Sequence, residues 1–334
     1  MNRPVGFGEI EHATKGGKAI LPRYRALSAY MKARHGKRVQ RLLVRGGFSC
    51  PNRNGTIGTG GCAFCDYSST FTDYTMGLSA VTAQLEASAE VAARRFKSAS
   101  YMAYFHDGTA TYAPIERLES LYNEALAFPG IVALAIGTRP DCLGKDVLDL
   151  LEDVSRRTDL WLELGLQTAS DRTLHDLGRG HDVACFSRAV ANAHERKIKI
   201  CAHVILGLPG EGTVEARATA KLLNQVQADG VKIHNFHVLK GARWAEDYMR
   251  NKIIPPTLEE YTRLAVGFLE VLNSGTVVHR LSGYANQEHL LAPSWTSNRW
   301  LGPQSIRKAL TKKDTWQGKA LGSSRASLVY TAAT

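Results

Sequence analysis

The sequence predicts an α/β fold: a partial (βα)6 TIM-like barrel followed by a C-terminal extension of helix and strand. Three observations predict it. Continuous apolar runs of five to eight residues alternate with helical stretches up to residue 240, the pattern of parallel strands covered on both faces. Six such runs end near residues 45, 105, 136, 166, 206 and 238. Residues capable of chemistry fall at those ends, where βα barrels assemble a site from several strands.

Residues 1–22 read as a loose, basic, Gly-rich arm. "RYRALSAYMKARHG" is an amphipathic helix that stops at Gly36. The barrel then alternates strand and helix: "VQRLLVRGG", "SAVTAQLEASAEVAARRF", "SYMAYFH", "IERLESLYNEALAF", "GIVALAIG", "KDVLDLLEDVS", "DLWLELGLQ", "CFSRAVANAHERK", "IKICAHVILG", "VEARATAKLLNQVQA" and "GVKIHNFHVLKG". From residue 241 the alternation weakens. "PPTLEEYTRLAVGFLEVLN" is one long helix, opened by Thr257 and Glu260 in capping-box spacing, and "TVVHRLSG" is a seventh strand. The expected units are therefore an arm at 1–22, the barrel at 23–240, and an extension at 241–334 that closes the barrel and ends in a basic, aromatic tail.

Cys50 follows the first strand, His106 and Asp107 the second, and Arg139 and Asp141 the third. Glu163 and Gln167 lie on the fourth, His203 on the fifth, and His237 and Lys240 on the sixth. Any one of them is well explained as a helix cap or a loop hydrogen bond. Their common position supports one shared site.

Composition sets the bounds. With 44% hydrophobic and 22% charged residues the chain is an ordinary globular one. No apolar run approaches the roughly 18–20 residues of a membrane span. The first twenty residues lack the apolar core of a signal peptide, which predicts a cytoplasmic protein. In a reducing compartment the six cysteines are not a disulfide framework. The net charge of +11 is uneven: residues 1–46 hold 11 Lys/Arg against 2 Asp/Glu, and residues 290–334 hold 7 against 1. Basic ends on a mildly acidic body suit a polyanion; a solvated surface explains them equally well.

The stretch "CPNRNGTIGTGGCAFC" places Cys50, Cys62 and Cys65 in C-x11-C-x2-C spacing. A structural zinc site wants two ligand pairs, and here Cys50 stands alone, with no histidine between Asn52 and Gly61. Cys142, Cys185 and Cys201 are isolated in apolar or helical contexts, where cysteine is usually a small buried hydrophobe. A [4Fe–4S] cube held by three cysteines instead of four keeps one iron open. That iron can chelate the amino and carboxylate groups of S-adenosylmethionine, and one electron then yields a 5′-deoxyadenosyl radical. Gly55, Gly58, Gly60 and Gly61 let the loop wrap such a cube, and Phe64 shields it and packs near the adenine. A zinc loop is the alternative.

The segments "GGFSCPNRNGTIGTGGCAFCD", "GTRPDCL", "LELGLQTASDRTLHDLGRGHD", "HVILGLPGEG" and "KIHNFHVLKG", with the tail "LLAPSWTSNRW", resemble the YhcC/YtqA-type radical SAM proteins. That family is similar to the radical SAM domain of the elongator catalytic subunit. The resemblance runs from about residue 24 to 322 and implies a barrel of the radical SAM type. It also implies that Cys50, Cys62 and Cys65 ligate the cluster, that Thr109 lies at the methionine end, and that Glu163 and Gln167 meet the ribose. The backbone around Ile205–Gly207 pairs with adenine, and Arg139, Asp141, His203, His237 and Lys240 face the substrate. His106, Asp107 and Gly108 stand where the family more often has Gln, Ala and Tyr.

The resemblance further implies an electron donor such as flavodoxin or ferredoxin, no membrane partner, and a tRNA or other RNA as substrate, with the wobble-uridine side chain first in line. An acetyltransferase reaction is not expected, since no stretch after residue 240 is long enough for that domain. Nor is sulfur insertion, for want of a second cysteine cluster. The aromatic–basic tail, with Trp295, Trp300 and Trp316 among basic residues, would add stacking to charge. One alternative keeps the radical and takes a small metabolite or peptide; another, of a different class, is a zinc-binding RNA adaptor.

Overall fold

The computed structural model describes residues 14–15, 18–19, 21–66, 80–96 and 100–330. Most of the expected arm lies outside the described residues; within it, Thr14–Lys15 pairs antiparallel with Lys18–Ala19. Helix α1 (Leu27–His35) ends on Gly36 at φ 70°, a left-handed turn that glycine adopts without a Cβ penalty.

Seven strands follow in chain order: β1 (Gln40–Val44), β2 (Tyr101–Phe105), β3 (Ile131–Thr138), β4 (Asp159–Gln167), β5 (Lys199–Leu206), β6 (Gly230–Asn235) and β7 (Val277–Arg280). They lie side by side in that order, and every neighbouring pair is parallel. The sheet is a curled half-barrel, with β1 and β7 as its two edges. Helices α2 (Val81–Phe96), α3 (Ile115–Ala127), α4 (Lys145–Arg157), α5 (Asp171–Asp176), α6 (Val183–Glu195) and α7 (Thr213–Gln225) make the crossovers. After them come α8 (Trp244–Met249), α9 (Leu258–Val271) and α10 (Leu301–Lys312).

The sixth strand stops three residues short of expectation. Val238–Leu239 instead turns to pair antiparallel with Leu290–Ala292 of the extension. The extension also supplies β7, the seventh strand expected at "TVVHRLSG", which joins the sheet beside β6.

Alternation sorts the strand residues. Leu134 and Ile136, Leu160 to Leu166 at every second position, and Ile200, Ala202 and Val204 face the helices in the main core. The positions between them face inward. Met102, Tyr104, Ala133, Ala135, Trp161, Cys201 and Val277 form an inner cluster with Met31 of α1. Small residues on β3 leave room there. Truncating an outward leucine such as Leu162, fully buried, removes a side chain whose loss from a core costs about 2–5 kcal/mol.

The two basic ends of the chain meet. Arg23 donates to Asp314 at 3.0 Å, Arg25 to the Ser327 carbonyl at 3.1 Å, and Arg307 to the Tyr24 hydroxyl at 3.3 Å. Two of the tail's tryptophans are tied into the fold: Trp295 stacks on Tyr261 and donates to the Pro256 carbonyl, and Trp316 donates to that of Ser323. Lys308, Lys312 and Lys313 remain exposed. No helix among the described residues is long and apolar enough to cross a membrane.

Candidate active site

The cysteine loop leaves the C-terminal end of β1, and its entry is fixed by β2. Asp107 accepts the backbone N–H groups of Gly46 (3.0 Å), Gly47 (2.8 Å) and Phe48 (3.2 Å). Its neighbour Gly108 sits at φ 60°, and a Cβ there would lie 2.5 Å from the Phe48 carbonyl oxygen and 2.7 Å from that of Ser49. Only glycine fits so close to another backbone. The segment that departs from the family pattern therefore anchors the loop. The Thr109 N–H donates to the Ser49 carbonyl (2.9 Å), while its buried hydroxyl has no partner among the described residues.

Within the loop the backbone folds on itself. Arg53 and Asn54 donate to the Cys50 carbonyl, Gly61 to that of Asn52, and Cys65 to that of Cys62. Gly55, Gly60 and Gly61 all have positive φ, which the tight winding requires. Cys62 is buried, and Cys50 and Cys65 are half-buried.

Two N–H groups are aimed at the Cys62 sulfur, from Asn52 and from Arg179, each at 3.4 Å. Arg179 comes from the turn after α5 and is held by a second bond to the Gly165 carbonyl (2.9 Å). Gly165 makes this possible, because a Cβ would lie 2.4 Å from the guanidinium. Burial pushes the Cys62 thiol up, but Arg179, then Arg139 and Asn52, outweigh it and bring the thiol below its ordinary value. Cys65 is driven up to about 11 by burial and by the charge of Cys62. Three thiols on one loop, with N–H donors turned to a sulfur, suit a thiolate-held iron–sulfur cluster.

Arg139 is buried beneath this loop. It grips Asp141 with two N–H groups (2.9 and 2.7 Å) and donates to the Arg179 carbonyl (2.8 Å). Its remaining nitrogen is buried without a partner among the described residues.

Deeper in the barrel, Glu163 accepts from His203 and Lys232 on the same oxygen, both at 2.7 Å, and Lys232 also donates to the Tyr104 hydroxyl (2.7 Å). His279 lies 3.5 Å from the other oxygen. Burial opposes ionisation of Glu163, yet Lys232, His203 and His279 hold it well below the usual carboxylate range. Burial pushes His203 and His279 down to about 4 and Lys232 to about 7. The carboxylate expected at the ribose thus already has protein partners. Glu163, Cys201 and His279 are also the one group among the described residues whose three ligand atoms lie within 4.8 Å of one another.

The other expected residues divide. Phe64 packs with the cluster that contains Ile205, Leu177 and Trp244. Gln167 ends β4 at φ 81°, just past a bulge. Gly207 (φ 79°) passes so close to Pro256 that a Cβ would meet it at 2.7 Å. His237 is half-buried, its Nδ1 3.0 Å from the Asn235 carbonyl. Lys240 is exposed just after Val238–Leu239 and lines a surface hollow with Met249, Arg250 and Leu291. Sequence reasoning passed over Arg179, although glycines flank it in "LGRGHD". It also missed Tyr104, Lys232, Arg41 and Arg280, which sit inside strands.

Comparison with known proteins gives three results. The Radical SAM superfamily profile matches residues 55–223 and the Radical_SAM C-terminal domain profile residues 228–312. Protein YhcC of Escherichia coli K12 is 41% identical over 290 residues, covering 86% of this chain and 92% of its own. The tRNA uridine(34) acetyltransferase of Methanocaldococcus jannaschii is 29% identical over a shorter stretch of 136 residues, 39% of this chain and 24% of that one. In fold, the chain is similar to the archaeal Elp3 of Methanocaldococcus infernus, with a TM-score of 0.64 at 18% identity, over 84% of this chain and 64% of that one.

Proposed function

The chain belongs to the radical SAM superfamily, and from that premise we propose that it modifies RNA, with tRNA at the wobble uridine as the first candidate. Members of the superfamily are enzymes that use a [4Fe–4S] cluster and S-adenosylmethionine and need a reductant. Cys50, Cys62 and Cys65 would hold the cluster here, on the loop whose geometry carries this reading. With the cluster bound, this loop would supply one-electron reduction of S-adenosylmethionine, the chemistry that yields a 5′-deoxyadenosyl radical.

The protein's own groups then have distinct tasks. Arg179 and Asn52 stabilise the Cys62 thiolate by N–H donation. Asp107 fixes the direction in which the loop leaves β1. Phe64 and Ile205 form an apolar wall suited to the adenine and to excluding water from a reactive radical. The Glu163–Lys232–His203 cage stiffens the inside of the barrel.

The RNA target rests on two supports. One is the convergence of the chain's two basic ends through Arg23, Arg25 and Arg307, which gathers positive charge suited to phosphates. The other is the partial kinship with a tRNA uridine(34) enzyme. Stacking plays a smaller part than the sequence suggests, because the indoles of Trp295 and Trp316 are engaged within the protein.

Anaerobic reconstitution followed by incubation with S-adenosylmethionine and a reductant tests the chemistry: brown protein and 5′-deoxyadenosine are expected. Bound zinc with no cleavage would refute it. Nucleoside mass spectrometry of tRNA from cells with and without the gene tests the target, and an unchanged profile would point to a metabolite or peptide instead.

A further inference from the structure

Two guanidinium groups face the inside of the barrel without an ion pair among the described residues. Arg41 lies on β1 and Arg280 on β7, the two edge strands of the curled sheet. In an unbroken β7, successive side chains would point to opposite faces, and Arg280 would turn away from His279. The register slips between Val278 and Arg280, however, so that Arg280 is the residue paired with Lys232. Lys232 points inward, to Glu163 and Tyr104. The slip therefore turns His279 and Arg280 to the same face, as a bulge does when it re-aims a side chain beside a site.

The charges inside do not balance. Glu163 is occupied by Lys232 and His203. Among the described residues neither Arg41 nor Arg280 forms an ion pair with a carboxylate. Arg41 lies over the Tyr104 ring, 5.1 Å from its centre, with its Nε buried and unpartnered. Arg280 is exposed although Val277 and Val278 before it are buried. Its strand partner Lys232 donates to the Tyr104 hydroxyl, and Arg41 lies over the ring of that same tyrosine, so Tyr104 and Lys232 link the two arginines on the inner face; burial and the charge of Arg41 both lower the pKa of Arg280. Two like charges gathered on one face repel until an anion joins them. Their planar forks match the two oxygens of a carboxylate or phosphate.

We propose that Arg41 and Arg280 form a binding site, between the edge strands of the barrel, for an anionic oxygen group of the substrate. A carboxylate and a phosphate present the same chemistry to it. The site is separate from the cysteine loop, whose thiols answer to Arg179, Arg139 and Arg53. It rests on the proposed function only in taking the barrel interior as the substrate chamber.

Isothermal titration of the reconstituted protein with acetate, and separately with inorganic phosphate, at fixed ionic strength tests it. Saturable binding of at least one anion is expected, weakened about tenfold or more in Arg280→Gln and in Arg41→Gln, the size of one charge-assisted contact. Iron content should not change. Whichever of acetate and phosphate binds tells carboxylate from phosphate. Arg280→Lys, which keeps the charge and loses the fork, should bind less tightly than wild type and guards against loss of folding in the neutral variants. Equal affinity in all forms would mean an adventitious ion only and would overturn the proposal, as would no saturable binding. If the variants lose the anion but the protein never cleaves S-adenosylmethionine, the radical reading fails and the anion site stands.

Discussion

Arg179 reaches back over 117 positions of sequence to donate an N–H to the sulfur of Cys62. The same side chain is pinned by the Gly165 carbonyl on β4, so the loop after β1 and the fourth strand share one buried cation. Arg179→Gln removes a charged donor from the thiolate, and changes of this kind beside metal ligands cost about 10–100-fold in metal affinity. Iron retained after anaerobic gel filtration should fall accordingly. Gly165→Ala offers an independent check, since it leaves Arg179 in place but fills its path with a methyl group. The same direction of loss is expected there, and full iron in both variants would remove Arg179 from the account.

The cysteines separate by the same assay. Replacing Cys50, Cys62 or Cys65 by alanine should abolish cofactor cleavage while circular dichroism shows the barrel intact. Cys142, Cys185 and Cys201 lie outside the loop, and burial raises each thiol, which disfavours the thiolate a metal needs. Serine at 142 or 185, or alanine at 201, should leave iron content unchanged.

Asp107 and Gly108 give a stability prediction. Asp107→Ala strands the N–H groups of Gly46 and Phe48, both buried, and each unsatisfied buried donor costs about 1–3 kcal/mol. Gly108→Ala drives a methyl into two carbonyl oxygens from a left-handed backbone. Both variants should melt well below wild type by calorimetry and reconstitute poorly. Asp107→Asn, which keeps an acceptor, should fall between.

The sequence shows the barrel because parallel strands buried on both faces leave uninterrupted apolar runs. It shows the cysteine loop because a local spacing needs no fold to be seen. What it hides has a physical reason in each case. Arg280 faces inward only because the ladder slips by one residue beside it, and such a slip leaves no trace in "TVVHRLSG". Arg179 meets Cys62 through tertiary packing alone. Asp107 stands among the strand-end residues, each also explained as a cap or loop hydrogen bond, and only the fold shows that its carboxylate is spent on three backbone amides. The reach of β6 was overestimated because Val238 and Leu239 stay apolar while pairing with a different partner.

Buried histidines predict an acid-sensitive fold. Burial takes His203 and His279 from an ordinary 6.5 to about 4, so the folded state keeps them neutral where the unfolded chain binds protons. Between about pH 6.5 and 4 the unfolded state then holds more protons, and stability falls as pH falls. Each contributes at most about 3 kcal/mol across that window. Glu163, held low by Lys232, adds to the loss once unfolded carboxylates protonate. Thermal melts from pH 7.5 to 4.5 should show a falling midpoint, and His203→Gln should flatten the slope. A slope unchanged by that substitution would place the acid sensitivity elsewhere.

Lys312 and Lys313 test the polyanion reading without touching the barrel. Both are exposed at the end of α10, near the place where Arg23 joins Asp314. If they contact phosphates, changing both to glutamine lowers the number of counterions released on binding. The plot of log affinity for tRNA against log salt should then lose about two units of slope, one per lysine. Affinity at low salt should drop while uncoupled cleavage of S-adenosylmethionine stays the same, because their helix packs against α9 and the turn at 294–297. If the slope is unchanged while affinity falls, the lysines act by shaping the tail and not by meeting phosphates. If both are unchanged, the RNA lies elsewhere on the protein.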